Sequence, residues 1–201
     1  MKILKYLLYV IVALVLLFFA FGIFKPTVSY GHEVTVDQPA KITWAVSQDE
    51  AKFDQWLEGF KSIKLLSGEK GKPGSTYEVV VNPGDGQPDF SMIETFKTVK
   101  EYELIEMSFD NEQMYIDYSV SHTESDDGKT TIKSHSITKA KGLVMRSMFA
   151  IMDMFDAFQA QEVKNMEALK KVIEENTTDY YPAPVIEEDA QATSVNEQIT
   201  D

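Results

Sequence analysis

The segment from Lys141 to Glu175 reads as one long helix, and a run of predicted strands precedes it. Its apolar side chains recur at helical spacing and are rich in Met and Phe: Met145, Met148, Phe149, Met152, Phe155, Phe158, Met166 and Leu169. A helix that closes a strand-rich chain has to bury its apolar face against the sheet. It therefore either completes a solid core or covers a cavity that holds an apolar molecule.

The chain before this helix alternates in polarity as β-strands do. Seven strands are predicted, and two short helices, beginning near Pro39 and near Asp49, follow the first of them. The predicted strands are Val28–Asp37, Ser62–Leu66, Thr76–Asn82, Phe90–Lys100, Glu103–Phe109, Met114–His122 and Thr130–Thr138. Because sequential strands with short turns pair with their neighbours, we expect an α+β domain with one antiparallel sheet.

The N-terminal residues 1–25 predict a membrane anchor. Ile3 to Phe24 is almost entirely apolar and about long enough to cross the hydrocarbon core as a helix. Lys2 and Lys5 place the N-terminus on the cytoplasmic side, so the rest of this single-pass cell-membrane protein is expected outside the cytoplasm. The alternative is a cleaved signal peptide ending near Gly22, although the apolar run is longer than usual for one.

Charge narrows the range of partners. Residues 26–201 hold 16 basic and 32 acidic side chains, a net charge of −16, which excludes nucleic acid as an expected partner. The chain has no cysteine, so it has neither disulfides nor thiolate metal ligands. The acidic segment 176–201 is predicted to be disordered, with Tyr180 and Tyr181 as residues that could pack back on the domain or bind a partner.

Three stretches resemble one protein family. Glu33–Ile42 matches a first strand running into a Pro-started helix, Ala51–Phe60 matches a second helix centred on Trp56, and Gly71–Tyr77 matches a glycine turn into the third strand. In this order, followed by the long helix, they resemble the SRPBCC or START/Bet v1-like (helix-grip) superfamily. The likeness covers about residues 27–175, and it is greatest to bacterial membrane-anchored polyketide cyclase/dehydrase-like proteins.

The resemblance implies a curved antiparallel sheet that grips the long C-terminal helix, with a cavity between them. Members of the family often bind lipids, sterols, polyketides or other apolar ligands, and a minority catalyse reactions in the cavity. We therefore expect the protein to bind a hydrophobic small molecule or lipid and to need neither a cofactor nor a metal ion. Binding is favoured over catalysis. A polyketide cyclase or hydrolase-like enzyme and an interaction module with a filled core remain open alternatives.

Polar residues on apolar strand faces are the candidates for chemistry. Glu94 shares a strand face with Phe90, Met92 and Phe96, so an inward position would raise its pKa, whereas a bulge would turn it to solvent. His122 and Tyr118 lie on an apolar face of the sixth strand, so His122 could act as an acid–base group and the Tyr118 hydroxyl could orient a ligand in the cavity. The predicted cavity residues are Met92, Glu94, Phe96, Met107, Ile116, Tyr118, His122, Met145, Met148, Met152 and Phe155.

Overall fold

A computed structural model describes residues 2–84 and 86–182 of the chain. The helices are α1 (Lys2–Phe24), α2 (Ala40–Ser47), α3 (Phe53–Trp56), α4 (Leu143–Met154) and α5 (Ala157–Glu174), and a 3-10 turn at Glu50–Lys52 precedes α3. The strands are β1 (Thr27–Tyr30), β2 (Glu33–Val36), β3 (Phe60–Ser67), β4 (Thr76–Val81), β5 (Phe90–Lys100), β6 (Leu104–Asp110), β7 (Met114–Glu124) and β8 (Thr130–Ala140). In the described part of the chain, α1 alone is long and apolar enough to cross a membrane, judged by length and composition.

The strands form one curved antiparallel sheet in the order β1-β8-β7-β6-β5-β4-β3, and β2 also pairs with β8. This confirms the predicted α+β class and the antiparallel sheet that follows the order of the chain from β3 to β8. Along β8, Thr130, Ile132, Ser134, Ser136 and Thr138 alternate with more exposed residues, as expected for a sheet covered on one face.

The first predicted strand is divided into β1 and β2 at Gly31 and His32. The chain passes so close to β8 here that a Cβ on residue 31 would lie 2.3 Å from the carbonyl oxygen of Ser134. Gln159 of α5 compensates the interrupted pairing, since its Nε2 donates to the Gly31 carbonyl at 2.8 Å and its Oε1 accepts from the Gly31 N–H at 3.4 Å. The split is therefore held by a contact between strand and helix that alternation along the chain does not encode.

The long C-terminal helix is likewise two helices. Asp156 adopts a left-handed backbone conformation, with φ of 55°, between α4 and α5. Asp tolerates this region better than most residues, because its short polar side chain can bond locally. The interruption lets the two halves of the predicted helix pack against different partners.

Helix α5 is the helix that the sheet grips. Met166, Leu169 and Ile173 lie at helical spacing and are almost fully buried in the main core, together with Val34, Val36, Val46 and Ile132. Helix α4 packs instead on a second cluster, formed by Val28, Ala140 and Phe149 with Met145 and Phe158 against them.

The chain beyond α5 contacts the body as far as Tyr181. Tyr180 packs against the main core and its hydroxyl donates to Asp49 at 2.6 Å, while the Tyr181 hydroxyl donates to the Lys41 carbonyl at 3.4 Å. Of the two roles considered for this pair, packing back on the domain is therefore seen for Tyr180. Residues 183–201 of the predicted disordered tail lie outside the described residues.

Candidate ligand-binding cavity

A cavity of about 680 Å³ lies between the inner face of the sheet and α5. Its walls are mainly apolar and aromatic side chains from β3 to β7, joined by Tyr30 of β1 and Ser136 of β8, and residues of α2, α3 and the β3–β4 loop also line it. The sheet contributes Ile63, Tyr77, Val79, Met92, Glu94, Phe96, Val99, Ile105, Met107, Phe109, Ile116, Tyr118, Val120, His122 and Ser136, and α5 contributes Glu162, Asn165, Met166 and Leu169. The volume is typical of sites that enclose small molecules.

Seven of the eleven predicted cavity residues line this space. They are the sheet residues Met92, Glu94, Phe96, Met107, Ile116, Tyr118 and His122. They come together because their positions on β5, β6 and β7 share the inner face in the observed register, in which Phe96 pairs with Met107 and Met107 with Tyr118. Strand alternation was sufficient to select them.

The expectation that the Met-rich first half of the long helix roofs the cavity needs correction. Met145, Met148, Met152 and Phe155 lie on or just after α4 and do not line the cavity. Met145 packs on the second cluster, whereas Met148, Met152 and Phe155 are 44%, 41% and 78% exposed. The break at Asp156 is the physical reason, because it leaves α5 alone to cover the cavity.

Glu94 is a buried carboxyl group on the cavity wall. It sits on β5 between Tyr77 of β4 and Phe109 of β6, and only 6% of it is exposed. Its Oε2 atom is buried and has no hydrogen-bond partner among the described residues. Burial, reinforced by the negative charge of Glu50, raises the pKa of Glu94 to about 7. Near neutral pH this carboxyl group can therefore either donate or accept a hydrogen bond.

His122 lies on the inner face of β7 with 5% of its surface exposed. Its ring stands edge-on to Trp44, with centroids 5.3 Å apart, and neither ring nitrogen has a partner among the described residues. Burial lowers the pKa of His122 to about 4, so the ring is neutral at pH 7. A neutral imidazole offers one donor and one acceptor.

The sheet and α5 are also joined across the cavity wall by a polar contact. The Tyr118 hydroxyl donates to Oε1 of Glu162 at 3.1 Å, and burial together with the adjacent Glu162 carboxylate raises the pKa of Tyr118 well above its usual range. Ser136 Oγ and Trp56 Nε1 are two further buried polar atoms without partners among the described residues, and both residues line the cavity. The apolar walls thus carry polar groups with unused hydrogen-bonding capacity.

Charged side chains lie at one end of the cavity. Lys70 in the β3–β4 loop forms an ion pair with Glu50 at 2.9 Å, and both residues line the cavity. The Gly71 N–H donates to the Tyr77 hydroxyl at 2.8 Å, which ties the same loop to the wall. The segment after α3, Leu57 followed by Glu58 and Gly59, leads into β3, and Leu57 itself lines the cavity.

Glu162 is the main cavity residue that the sequence analysis did not single out. The signal was present, because Glu162, Met166, Leu169 and Ile173 recur at helical spacing and all four are buried. The signal was missed because residues 141–175 were interpreted as one helix with one apolar face. The other two histidines of the chain lie outside the cavity: His32 is half-buried against Glu167 at 3.2 Å, and His135 is exposed beside Ser29.

The donor set of the cavity does not suggest a metal centre. Within residues 2–84 and 86–182, no three His, Asp or Glu side chains come together in a group that could hold a metal ion. The polar groups of the described cavity can donate and accept hydrogen bonds in apolar surroundings.

Comparisons with known proteins show the fold. No protein-family model and no curated protein match the sequence. Among solved structures, the chain is similar to Ara h 8.0201, with 17% identity, a TM-score of 0.55, and 75% of this chain and 99% of that chain covered. It is also similar to the ZhuI aromatase/cyclase from Streptomyces sp. R1128, with 11% identity, a TM-score of 0.57, and coverage of 74% and 94%. A third match is norcoclaurine synthase from Thalictrum flavum in complex with dopamine and hydroxybenzaldehyde, with 16% identity, a TM-score of 0.54, and coverage of 76% and 90%.

These proteins share the SRPBCC/Bet v1-like fold, so the fold that the resemblance implied is confirmed. The body of this chain is therefore a helix-grip domain, in which the antiparallel sheet wraps α5. At these identities the likeness defines the fold, and the site has to be interpreted from its own residues.

Proposed function

We propose that this protein binds an apolar small molecule or lipid in the cavity between the sheet and α5, while α1 holds it at a membrane. The observation that carries the proposal is the cavity itself, about 680 Å³ of mainly apolar space that contains buried polar atoms without partners. A buried polar group that stays unpaired costs about 1–3 kcal/mol. A ligand that fills the apolar volume and forms hydrogen bonds with these atoms gains the free energy of apolar burial and removes the cost of the unpaired groups.

The polar groups restrict the ligand's chemistry. An anionic group beside Glu94 would be repelled whenever this carboxyl is ionised, and Lys70, the nearby cation that lines the cavity, is already paired with Glu50. A hydroxyl or carbonyl group fits better, because Glu94 near its pKa and neutral His122 each offer a donor or an acceptor. We therefore expect a largely apolar, uncharged molecule with one or a few oxygen atoms.

Membrane attachment rests on the length and composition of α1. The proposed organisation is an anchor over residues 1–25, a helix-grip domain over residues 27–175, and an acidic tail over residues 176–201. With the N-terminus in the cytoplasm, the domain lies on the extracytoplasmic side of the cell membrane, where an apolar ligand is available from the bilayer.

The test is native mass spectrometry of the full chain, solubilised in detergent from its own membranes, followed by organic extraction of any bound molecule. The matched variants are Met92→Trp and Ile93→Trp, neighbours on β5 that face opposite sides of the sheet. Met92 lines the cavity, whereas Ile93 is 41% exposed, so the added indole narrows the cavity only in the first variant.

We expect one class of apolar molecule to remain bound to the wild-type chain and to Ile93→Trp, and to be depleted in Met92→Trp. Urea denaturation of both variants establishes that each is folded. An adduct-free wild-type chain, or equal retention by the two variants, would contradict binding in this cavity.

A second candidate function is catalysis on the bound molecule. It is favoured by Glu94, His122 and Tyr118, which line one cavity, and by the pKa of about 7 for Glu94, a value suited to general acid–base chemistry. In this case Glu94→Gln would retain a ligand without converting it, and this ligand, extracted and incubated with the wild-type chain, would change mass. An unchanged ligand mass with the wild-type chain argues for binding alone.

A further inference from the structure

Helix α4 carries an apolar stripe that neither the core nor the cavity uses. Val144, Met148 and Met152 follow one another at intervals of four residues, which aligns them on one side of the helix, and Phe155 directly follows the helix end. They are 54%, 44%, 41% and 78% exposed. We call these four residues the outer face of α4.

Two other sides of α4 have packing partners. Met145 and Phe149 pack on the cluster that contains Val28 and Ala140. Ser147 is fully buried and meets α1, where a Cβ on Gly22 would come within 2.4 Å of the Ser147 hydroxyl. Such close approach of two helices through small residues is common inside membranes. The outer face is thus a separate surface adjacent to α1.

The contact between α4 and α1 lies at the C-terminal end of α1. A helix of 23 residues is roughly 34 Å long, slightly more than a hydrocarbon core of about 30 Å. If α1 spans the bilayer, Gly22 lies where the helix leaves the hydrocarbon, and α4 lies at the same depth. Lys25 at this boundary forms an ion pair with Asp153, the single acidic residue within α4.

We propose that the outer face of α4 inserts into the lipid leaflet at which α1 ends. The inference rests on the proposed membrane attachment through α1 and is independent of what occupies the cavity. A lipid surface fits because α4 packs directly against α1, whose own apolar side chains are mostly exposed, and because Lys25 pairs with the acid of α4. A short helix with such a face lies in the plane of the interface, with its apolar side chains below the head groups.

The inference adds a specific position for the domain relative to the bilayer. Helix α5, which covers the cavity, begins at Ala157, three residues after α4 ends at Met154. Insertion of α4 would therefore hold α5, and with it the cavity, close to the membrane surface.

The chain lacks cysteine, so single cysteines can carry a nitroxide label. The full chain is reconstituted in vesicles of phosphatidylcholine and phosphatidylglycerol, and each label is exposed to oxygen, which concentrates in lipid, and to a water-soluble nickel complex. Met148→Cys and Met152→Cys report on the outer face. Leu14→Cys within α1 is the lipid control, and Lys64→Cys on β3, at the opposite edge of the sheet, is the aqueous control.

We expect labels at positions 148 and 152 to be relaxed severalfold more by oxygen than by the nickel complex, as at position 14, with the reverse order at position 64. If position 14 reports lipid but 148 and 152 behave like 64, the inference fails while the attachment stands. If 148 and 152 are shielded from both reagents, protein covers the face, and a second copy or another protein replaces lipid as its partner. If position 14 reports water, attachment and insertion fail together, and the cavity is still tested by mass spectrometry.

Discussion

Replacing Glu94 with glutamine removes a carboxyl group that the fold keeps partly protonated. Burial raises the pKa of Glu94 from 4.5 to about 7, so the folded chain holds a proton that the unfolded chain releases. A shift of this size corresponds to about 3 kcal/mol of folding free energy. Because the folded-state pKa is the higher one, this contribution is complete below about pH 4.5 and is lost as the pH rises through about 7.

Glu94→Gln is nearly isosteric and stays neutral, so its stability lacks this dependence on pH. We expect the variant to be more stable than the wild-type chain by about 3 kcal/mol at pH 8 and by about 1 kcal/mol or less at pH 5. The measurement is urea denaturation of the full chain in detergent micelles at both pH values. It is followed by the fluorescence of Trp44 and Trp56, which both line the cavity.

The matched control is Glu106→Gln on β6. Glu106 is exposed, so this variant removes one negative charge without altering the cavity. A difference between Glu94→Gln and wild type that stays constant from pH 5 to pH 8 would refute the reasoning, because it would mean that the Glu94 carboxyl is solvated in the folded chain. The same result would weaken the proposed choice of an uncharged ligand.

Two further predictions concern His122 and the split first strand. His122→Phe keeps an aromatic ring beside Trp44 but cannot be protonated. Burial lowers the pKa of His122 from 6.5 to about 4, so the stability of the wild-type chain falls as the pH drops through this range. In urea denaturation, the stability of the variant relative to the wild-type chain should therefore increase by about 2 kcal/mol between pH 7 and pH 4.5. Equal pH profiles of stability would contradict a buried, neutral ring. Gly31→Ala should lower the free energy of unfolding by about 1–3 kcal/mol, because the new Cβ overlaps the Ser134 carbonyl oxygen, whereas Ser29→Ala at an exposed β1 position serves as the control. An unaffected urea midpoint for Gly31→Ala would show that β1 and β8 can move apart at this point without cost.

The sheet was accessible from the sequence because strands leave a local signal. Alternation along 90–100, 103–109 and 114–122 depends only on near neighbours in the chain, and it predicted β5, β6 and β7 closely. The same alternation selected the cavity residues of these strands, since an inner face has a period of two. For Glu94 it left two positions open, because a carboxyl on an apolar strand face is compatible with burial and with a bulge.

The C-terminal helix shows where local pattern was insufficient. Its first half is apolar on nearly every side, so periodicity could not distinguish the side that meets α1 from the side that meets the sheet. The break at Asp156 depends on a left-handed conformation that Asp permits but does not require. The sequence therefore predicted a helix over the sheet. That this helix is α5 depends on its contacts with β2, β8 and α2.

The sequence by itself determined that this chain has an apolar N-terminal helix, an antiparallel sheet and a helix packed across it, because each follows from side-chain periodicity and length. Only the tertiary structure decided that α5 encloses the cavity, that Glu94 and His122 are buried inside it, and that the outer face of α4 remains uncovered beside α1. Burial is a property of segments brought together from distant parts of the chain, and it alone sets the desolvation that shifts a pKa or leaves an apolar stripe exposed.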